Sequence, residues 1–203
     1  VGNGAHFGII DKARNLIVPM RLDGALRFRD GVAAVLVNGR CGFVNKRGDV
    51  AIDPQFARVR SFHNGLAAVQ MFDRDGDPGR MAFITRRGRV QFEDRRGNLT
   101  DLGDFNESRA WAKVGELYGY MDRSFRMRIE PRFDEARDFT GDLAAVRVGE
   151  RWGYIHKSGK WAVKPIFQSA DDFDEILAMY SRNDLYGFTD RVGKRGLQPQ
   201  FGW

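Results

Sequence analysis

The chain has 203 residues, of which 42% are hydrophobic and 30% are charged, and its formal net charge is +6. A chain of this length and composition can bury a sizeable core and is typical of a globular protein. No stretch approaches the roughly 20 consecutive apolar residues of a membrane-spanning helix, so membrane insertion is not expected. The single cysteine, Cys41, excludes an intrachain disulfide and a metal site built from several cysteines.

The amino-terminal residues give an indication of the cellular compartment in which the protein is found. The opening VGNGAHFGII lacks the charged and then apolar layout of a signal peptide, so a targeting segment is expected to be absent or already removed. A start at Val1 fits a processed export product and a shortened chain equally well. A periplasmic or exported location is therefore an expectation, favoured over a cytoplasmic one.

One motif recurs along the chain and orders the predicted elements. A clear copy, RWGYIHKSGKWAVKPIF at 151–167, places a glycine between two aromatic residues, then a Lys-x-Gly turn and a final Pro-x-Phe. The motif glycine, or alanine in one case, recurs at Gly8, Gly42, Ala82, Gly119, Gly153 and Gly187. A proline follows at Pro19, Pro54, Pro131, Pro165 and Pro199, and a later phenylalanine column comprises Phe28, Phe62, Phe105, Phe139 and Phe173. The period of about 34 residues predicts a tandem-repeat protein.

The repeat units can be placed in chain order within a single predicted domain, 1–203. They cover approximately 6–38, 39–71, 80–114, 115–148, 149–182 and a truncated 183–203, with inserts near 70–80 and 91–101.

Each unit predicts three short strands. Segments such as CGFVN and WGYIH are short, aromatic or β-branched, and bounded by turn residues, so they cannot form a pair of helices. Asn38-Gly39 predicts a tight two-residue turn. The turns NKRG and HKSG predict hairpins with a glycine bulge, and the glycines expected in the left-handed region are Gly48, Gly88, Gly159 and Gly193. The predicted fold class is therefore all-β.

Neighbouring units must stack, because one unit cannot bury its own apolar face. Trp152, Tyr154, Phe167 and Phe173 are expected to pack in the core. The motif glycine is expected to leave room for a neighbouring side chain or backbone. Three strands per unit and a short period favour an open twisted solenoid, with a propeller-like ring as the alternative.

The motif resembles the WG, or KWG, repeat proteins of bacteria. Arg-Trp-Gly-Tyr-Ile at 151–155, the Lys-Ser-Gly-Lys at 157–160, Pro165 and Phe167 match that consensus closely, and the resemblance covers nearly the whole chain. It implies a β-rich repeat scaffold in interaction or surface roles, sometimes beside bacterial toxin systems. It implies no shared catalytic residues and no cofactor.

The two inserts of the third unit are the first candidates for a recognition surface, because insertions in repeat proteins map to loops on one face. Neutral loop drift is the alternative. Asp73, Asp75 and Asp77 in the first insert resemble the start of a calcium loop. However, Pro78 and Ile84 stand where an EF-hand needs glycine and glutamate, so a solvated acidic turn is favoured over a metal site.

Basic residues point to an acidic partner. One follows the motif position by four in every unit, at Lys12, Lys46, Arg86, Arg123, Lys157 and Arg191, which predicts a stripe of charge. Solvated turn residues are the plainer interpretation of this stripe. The third unit has further arginines, so the predicted partner surface comprises Arg80, Arg86, Arg87, Arg89, Arg95, Arg96, the three aspartates of the first insert and Trp111. Arginines suit carboxylate or phosphate groups through paired hydrogen bonds.

Protein binding is the function that the sequence favours. The histidines His6, His63 and His156 fall at unrelated positions of the repeat and no catalytic motif occurs, so neither an enzyme nor a small-molecule substrate is expected. Nucleic-acid binding is disfavoured because the aromatic residues belong to packing columns. The specific hypothesis is an immunity-type inhibitor that covers the active site of a toxin enzyme. The alternatives are a cell-envelope adaptor or glycan-binding module using Trp111 and Trp203, or a non-specific nucleic-acid binder.

Overall fold

In the computed structural model, which describes residues 6–173, 177–183 and 185–191, every regular element is a β-strand. The all-β prediction is confirmed. The chain falls into two compact units, residues 1–104 and 105–203. The boundary between them lies inside the predicted third repeat.

The described strands of the first unit are β1 (Phe7–Ile10), β2 (Leu16–Leu22), β3 (Gly24–Ala25), β4 (Val32–Val37), β5 (Arg40–Asn45), β6 (Val50–Val59), β7 (Leu66–Phe72), β8 (Pro78–Thr85), β9 (Val90–Glu93) and β10 (Leu99–Leu102). Those of the second unit are β11 (Arg109–Val114), β12 (Leu117–Asp122), β13 (Met127–Phe133), β14 (Glu135–Ala136), β15 (Leu143–Val148), β16 (Arg151–His156), β17 (Trp161–Phe167), β18 (Ser169–Ala170), β19 (Ala178–Arg182) and β20 (Leu185–Thr189).

Antiparallel pairing between consecutive strands builds both units. In the first, β1 and β2 form a hairpin, and β3 to β9 form one sheet in chain order. Strand β6 pairs with β5 on one side and with β7 on the other, and β7 pairs in turn with β8, which joins the second and third repeats within one sheet. In the second unit, β14 to β17 form one sheet and β18 to β20 form another.

The sheet from β14 to β17 shows one complete repeat. The three predicted strands are present as β15, β16 and β17, and the structure adds the two-residue strand β14 at the edge. Two residues have no readable periodicity, so sequence reasoning missed this strand. Propeller blades commonly have four strands, so the strand count does not favour an open array. The choice between an open array and a ring stays a prediction.

The motif glycine lies where the backbone of the next strand passes closest. A Cβ atom at Gly153 would lie 2.6 Å from the carbonyl oxygen of Val163 and 2.8 Å from the nitrogen of Pro165. Gly42 and Gly119 meet the corresponding backbone atoms of their own neighbouring strands. The pairing register shifts at this point, so the proline of Pro-x-Phe sits in an irregular part of the ladder, where its missing N–H is tolerated. The room that the sequence predicted beside this glycine is therefore occupied by backbone.

The predicted turns are also present. Asn38 and Gly39 both have positive φ, as a tight hairpin turn requires. Gly48, Gly88 and Gly159 have φ of 88°, 74° and 81°, which confirms three of the four predicted left-handed glycines. The fourth, Gly193, lies outside the described residues. In the fourth repeat Phe125 takes this position with φ of 58°, which no glycine signal could have indicated.

A repeated pair of aromatic rings forms the core. Tyr154 and Phe173 contact edge to face with ring centroids 4.9 Å apart, and Tyr120 and Phe139 do the same at 4.9 Å. In the second repeat the pair is Phe43 and Phe62, at 4.7 Å. These rings are nearly or fully buried, as the repeat pattern predicted.

The buried tyrosines also hold the following chain segment. Tyr120 Oη donates a hydrogen bond to the Arg137 carbonyl and Tyr154 Oη donates one to the Asp171 carbonyl, both at 2.7 Å. Burial raises the pKa of both phenols, so they stay protonated donors.

Candidate partner-binding surface

The first insert forms an extended hairpin between β7 and β8. Its loop closes through the Asp73 N–H donating to the Asp77 carbonyl at 2.9 Å, and Gly76 has φ of 88°. Oδ1 of Asp73 accepts hydrogen bonds from the backbone N–H groups of Asp75 at 3.0 Å and Asp77 at 2.9 Å. The acidic residues thus shape a solvent-exposed turn.

The second insert meets the first through Glu93. Oε1 of Glu93 lies 3.1 Å from Nη1 of Arg80, and its Oε2 lies 3.9 Å from Nε of Arg95. Arg95 and Arg96 are exposed in the turn that follows β9. The structure therefore brings together Arg80 from the first insert and Arg95 from the second, as the sequence predicted for neighbouring loops.

A cavity of about 530 Å³ opens beside this contact and is lined by residues 71–75, Arg80 and Glu93. The Arg40 guanidinium lies 4.6 Å from the centre of the half-buried Phe72 ring. We call the set of Arg40, Phe72, residues 73–77, Arg80, Glu93, Arg95 and Arg96 the repeat-three surface. It combines an aromatic ring, a concave shape and exposed side chains of both charges, which suits recognition of another protein.

Sequence reasoning missed Arg40, Phe72 and Glu93 as members of this surface. A signal existed for Arg40, because it enters the aromatic-glycine strand of repeat two at the position that Arg80 holds in repeat three. Phe72 and Glu93 carry no comparable signal, since both lie in inserts without a counterpart in the other repeats.

The remaining predicted arginines lie at the opposite end of β8. Arg86, Arg87 and Arg89 belong to the hairpin after Thr85, whereas Arg80 is near the start of the strand. Six residues of extended chain separate Arg80 from Arg86 by roughly 20 Å. The single surface that the sequence predicted is therefore divided, and this is a correction to its extent.

Arg86 has a structural contact of its own. Its Nη1 donates a hydrogen bond to the Asp30 carbonyl at 3.0 Å, and the Asp30 carboxylate accepts the Gly65 N–H at 2.7 Å. Asp30 therefore joins the turns of two successive repeats, and Arg86 of the third repeat contacts the first of these turns.

The second unit repeats this arrangement at Lys157. Nζ of Lys157 lies 3.0 Å from Oε2 of Glu107 and 2.6 Å from Oδ1 of Asp142. The Glu107 carboxylate also accepts the N–H groups of Gly141 and Asp142, at 2.7 and 2.8 Å. We call this set the turn clasp. At Arg86 and Lys157, the predicted basic stripe therefore packs one repeat against the next.

Ionisation in the clasp follows from these contacts. Burial raises the pKa of Glu107, but hydrogen bonds from Lys157, Asp142 and Gly141 outweigh it, and the pKa is lowered. The hydrogen bond from Lys157 likewise lowers the pKa of Asp142. All three side chains are therefore charged at neutral pH.

Trp111 packs against neighbouring side chains of the second compact unit. It is half-buried beside the core cluster of Tyr120 and Phe133, and its ring lies edge to face with Tyr118 at 5.4 Å. We therefore leave Trp111 out of the repeat-three surface. Trp203, the other tryptophan of the glycan-binding alternative, lies outside the described residues.

Two further observations concern other classes of site. Among the described residues, the structure holds no cluster of three or more His, Cys, Asp or Glu side chains arranged to bind a metal ion. The same part of the chain contains no helix that is long and apolar enough to cross a membrane.

Comparison with solved structures places the fold among β-propeller-like proteins. A eukaryotic initiation factor aligns with 94% of this chain at a TM-score of 0.61 and 11% identity, and Hsv2p from Kluyveromyces lactis aligns with 85% at 0.55 and 11%. The chain spans 59% and 63% of those two structures, about three fifths of their length. At this identity the likeness concerns the fold alone. No curated protein matches the sequence.

The sequence model of the WG containing repeat matches residues 7–41, 42–71, 118–152 and 152–186. The stretch between the second and third matches carries both inserts of repeat three. These matches cover more than half of the chain. The chain therefore belongs to the WG-repeat family.

Proposed function

We propose that this β-repeat protein is a non-catalytic scaffold that binds another protein through the repeat-three surface. The extended β7–β8 hairpin carries the proposal, because it departs from the repeat without disturbing the sheet that supports it. The exposed side chains of Arg95 and Arg96 would pair with acidic groups of the partner. The half-buried Phe72 ring beneath Arg40 would supply an aromatic contact of the kind enriched at protein interfaces.

The specific form of the proposal is an immunity-type inhibitor that covers the active site of a toxin or effector enzyme. Membership of the WG-repeat family supports it, because proteins of this family sometimes occur beside bacterial toxin systems. A protruding hairpin flanked by cations can enter an enzyme cleft that is lined by acidic side chains. No catalytic role is proposed for the chain itself.

The experiment is capture of partners from a lysate of the source organism, after nuclease treatment and at moderate and high salt. Three baits are compared: the wild type, a variant with Arg95→Ser and Arg96→Ser, and a variant with Arg87→Ser and Arg89→Ser. The two variants lose the same charge at opposite ends of β8, so the last is the matched control. All four side chains are exposed, and their loss should leave folding nearly unchanged.

The proposal expects one stoichiometric protein that survives high salt, is retained by the control and is lost by the Arg95/Arg96 variant. An enzyme inhibited by the chain would support the immunity form. Material that is lost with salt or nuclease would instead identify a non-specific nucleic-acid binder. If both variants retained the partner equally, the repeat-three surface would not be the binding site.

A further inference from the structure

A second cavity, of about 370 Å³, lies in the first unit away from the repeat-three surface. Strand β6 contributes Arg58 to its wall, Arg60 follows directly after that strand, and β7 contributes Gln70. Asp101 in β10 and Asp104 just after that strand also line it. The volume falls within the range of about 300–1,000 Å³ that is usual for small-molecule sites.

One wall of the cavity is cationic. Arg58 in β6 and Arg60 just after it are two residues apart, and the Arg60 N–H still pairs with the Ala68 carbonyl, so the two side chains point to the same face. Nη2 of Arg60 lies 3.7 Å from Oδ2 of Asp101, which holds it in an ion pair. Arg58 is exposed, and within the described part of the chain its side chain makes no ion pair or hydrogen bond. Its guanidinium is therefore available to an anion.

Acidic side chains also line the cavity. Oδ1 of Asp104 is buried and has no hydrogen-bond partner among the described residues. Burial raises the pKa of Asp104, while the positive charges of Arg60, His63 and Arg29 oppose that rise. A buried acceptor without a donor is costly, so a cation that reaches this carboxylate would be favoured.

Apolar side chains complete the cavity. Leu26, Val59 and Met81 line it, and Leu26 is 51% exposed. The site thus offers a guanidinium, a carboxylate pair and an apolar wall within one small volume. A plain carboxylic acid would leave Asp104 without a donor, and a plain amine would leave Arg58 without an anion.

We propose that this cavity binds a free α-amino acid with an aliphatic side chain. Arg58 receives the α-carboxylate, Asp104 and Asp101 receive the α-ammonium, and the side chain packs against Leu26, Val59 and Met81. The inference is independent of the partner-binding proposal, because it concerns a ligand and residues outside the repeat-three surface.

The repeat supplies a control. Asp138 and Asp172 precede Phe139 and Phe173 just as Asp104 precedes Phe105, so an aspartate at this position is a feature of several repeats. The site depends on what surrounds Asp104, above all Arg58 and Asp101. Asp138→Asn therefore removes an equivalent aspartate without touching the cavity.

The test is calorimetric titration of the full chain with leucine, 4-methylpentanoate and 3-methylbutylamine. The two analogues each lack one charged group of leucine. Leucine should bind with a stoichiometry near one, and each analogue should bind roughly tenfold more weakly or worse. Arg58→Gln and Asp104→Asn should weaken leucine binding by a similar factor, whereas Asp138→Asn should leave it unchanged.

Several results would overturn the proposal. These are no saturable heat with leucine, valine or methionine, equal binding of leucine and 4-methylpentanoate, or full affinity in the Arg58→Gln variant. Arg58 is exposed, so that variant should fold even if Asp104→Asn does not.

Discussion

The motif glycine has the most stringent steric requirement in the second unit. At Gly153 the atoms that crowd the missing side chain are backbone atoms of β17, which cannot rotate away as a side chain could. The same arrangement at Gly42 and Gly119 explains why a glycine recurs between two larger residues. It also explains why the register shifts at this point in several repeats.

Gly153→Ala should therefore destabilise the protein, by about 1–3 kcal/mol or more, because the new methyl group overlaps backbone. Gly24→Ala is the control, since its Cβ would meet only the Leu36 Cβ at an ordinary 3.7 Å. Unfolding in urea, followed by tryptophan fluorescence, measures both free energies of unfolding. Equal stability of the two variants would contradict the steric account.

A substitution of Phe167 tests whether the phenylalanine of the Pro-x-Phe motif packs in the core. It is 4% exposed and its ring lies 4.1 Å from that of Tyr180, so Phe167→Ala should cost about 3–5 kcal/mol. The adjacent Ile166 is 42% exposed, so Ile166→Ala should cost far less. Thermal unfolding of the two variants compares them. A silent Phe167→Ala would show that this column is not core.

At the scale of elements, the turn clasp makes a pH prediction. The folded state lowers the pKa of Glu107, so the stability that this group contributes is present above its unfolded pKa of about 4.3. It is lost as the pH falls through the lower folded value. The Tm of the wild type should therefore fall more steeply between pH 6 and pH 3 than that of Glu107→Gln. The effect should be small, because the group is partly solvated.

Glu116→Gln is the control for this comparison. Glu116 is 94% exposed and forms only a surface ion pair with Lys113, at 3.6 Å. Its removal should leave the pH dependence of the Tm unchanged. Identical profiles for the Glu107 and Glu116 variants would mean that the clasp does not hold adjacent repeats together.

The β7–β8 hairpin makes a second prediction at this scale. Replacing residues 72–79 by Asn-Gly restores the two-residue turn that joins β4 and β5 in repeat two. The remaining register pairs, such as Val69 with Ala82, are unaffected, so the free energy of unfolding should change by less than about 1 kcal/mol. Urea unfolding checks this, and a large loss would assign the insert a structural role.

Sequence reasoning predicted the strands and turns whose signals are local. The aromatic-glycine strand, the glycine turns and the aromatic columns all follow from residue type and spacing. The two-residue strand β14 and the left-handed Phe125 could not be predicted, because the surrounding structure imposes both conformations. The clasp was missed because Glu107 and Lys157 are 50 residues apart and meet only when the repeats pack.

The candidate surface could be predicted only in part for a similar reason. An insert marks where a repeat departs from its neighbours, and the prediction of neighbouring loops agrees with the contacts of Glu93 to both Arg80 and Arg95. Proximity in sequence does not show which end of a strand a residue occupies, so Arg86 was grouped with residues roughly 20 Å away. Trp111 was assigned to the surface because its packing against Tyr118 has no sequence signal.

At the scale of the whole molecule, the repeats share one strand pattern, and the third repeat departs from it through its two inserts. In a tandem-repeat protein each repeat contacts only its neighbours, so a change in one hairpin need not disturb the others. The described fold resembles β-propeller-like structures that differ from it in nearly all residues. Such a scaffold can vary its binding surface independently of its core.

The most direct measurement is the affinity of the captured partner for the chain with residues 72–79 replaced by Asn-Gly, compared with the wild type by calorimetry. If the repeat-three surface is the interface, the shortened protein should remain folded and lose at least roughly a hundredfold in affinity. A folded, shortened protein that binds the partner as tightly as the wild type would contradict the account.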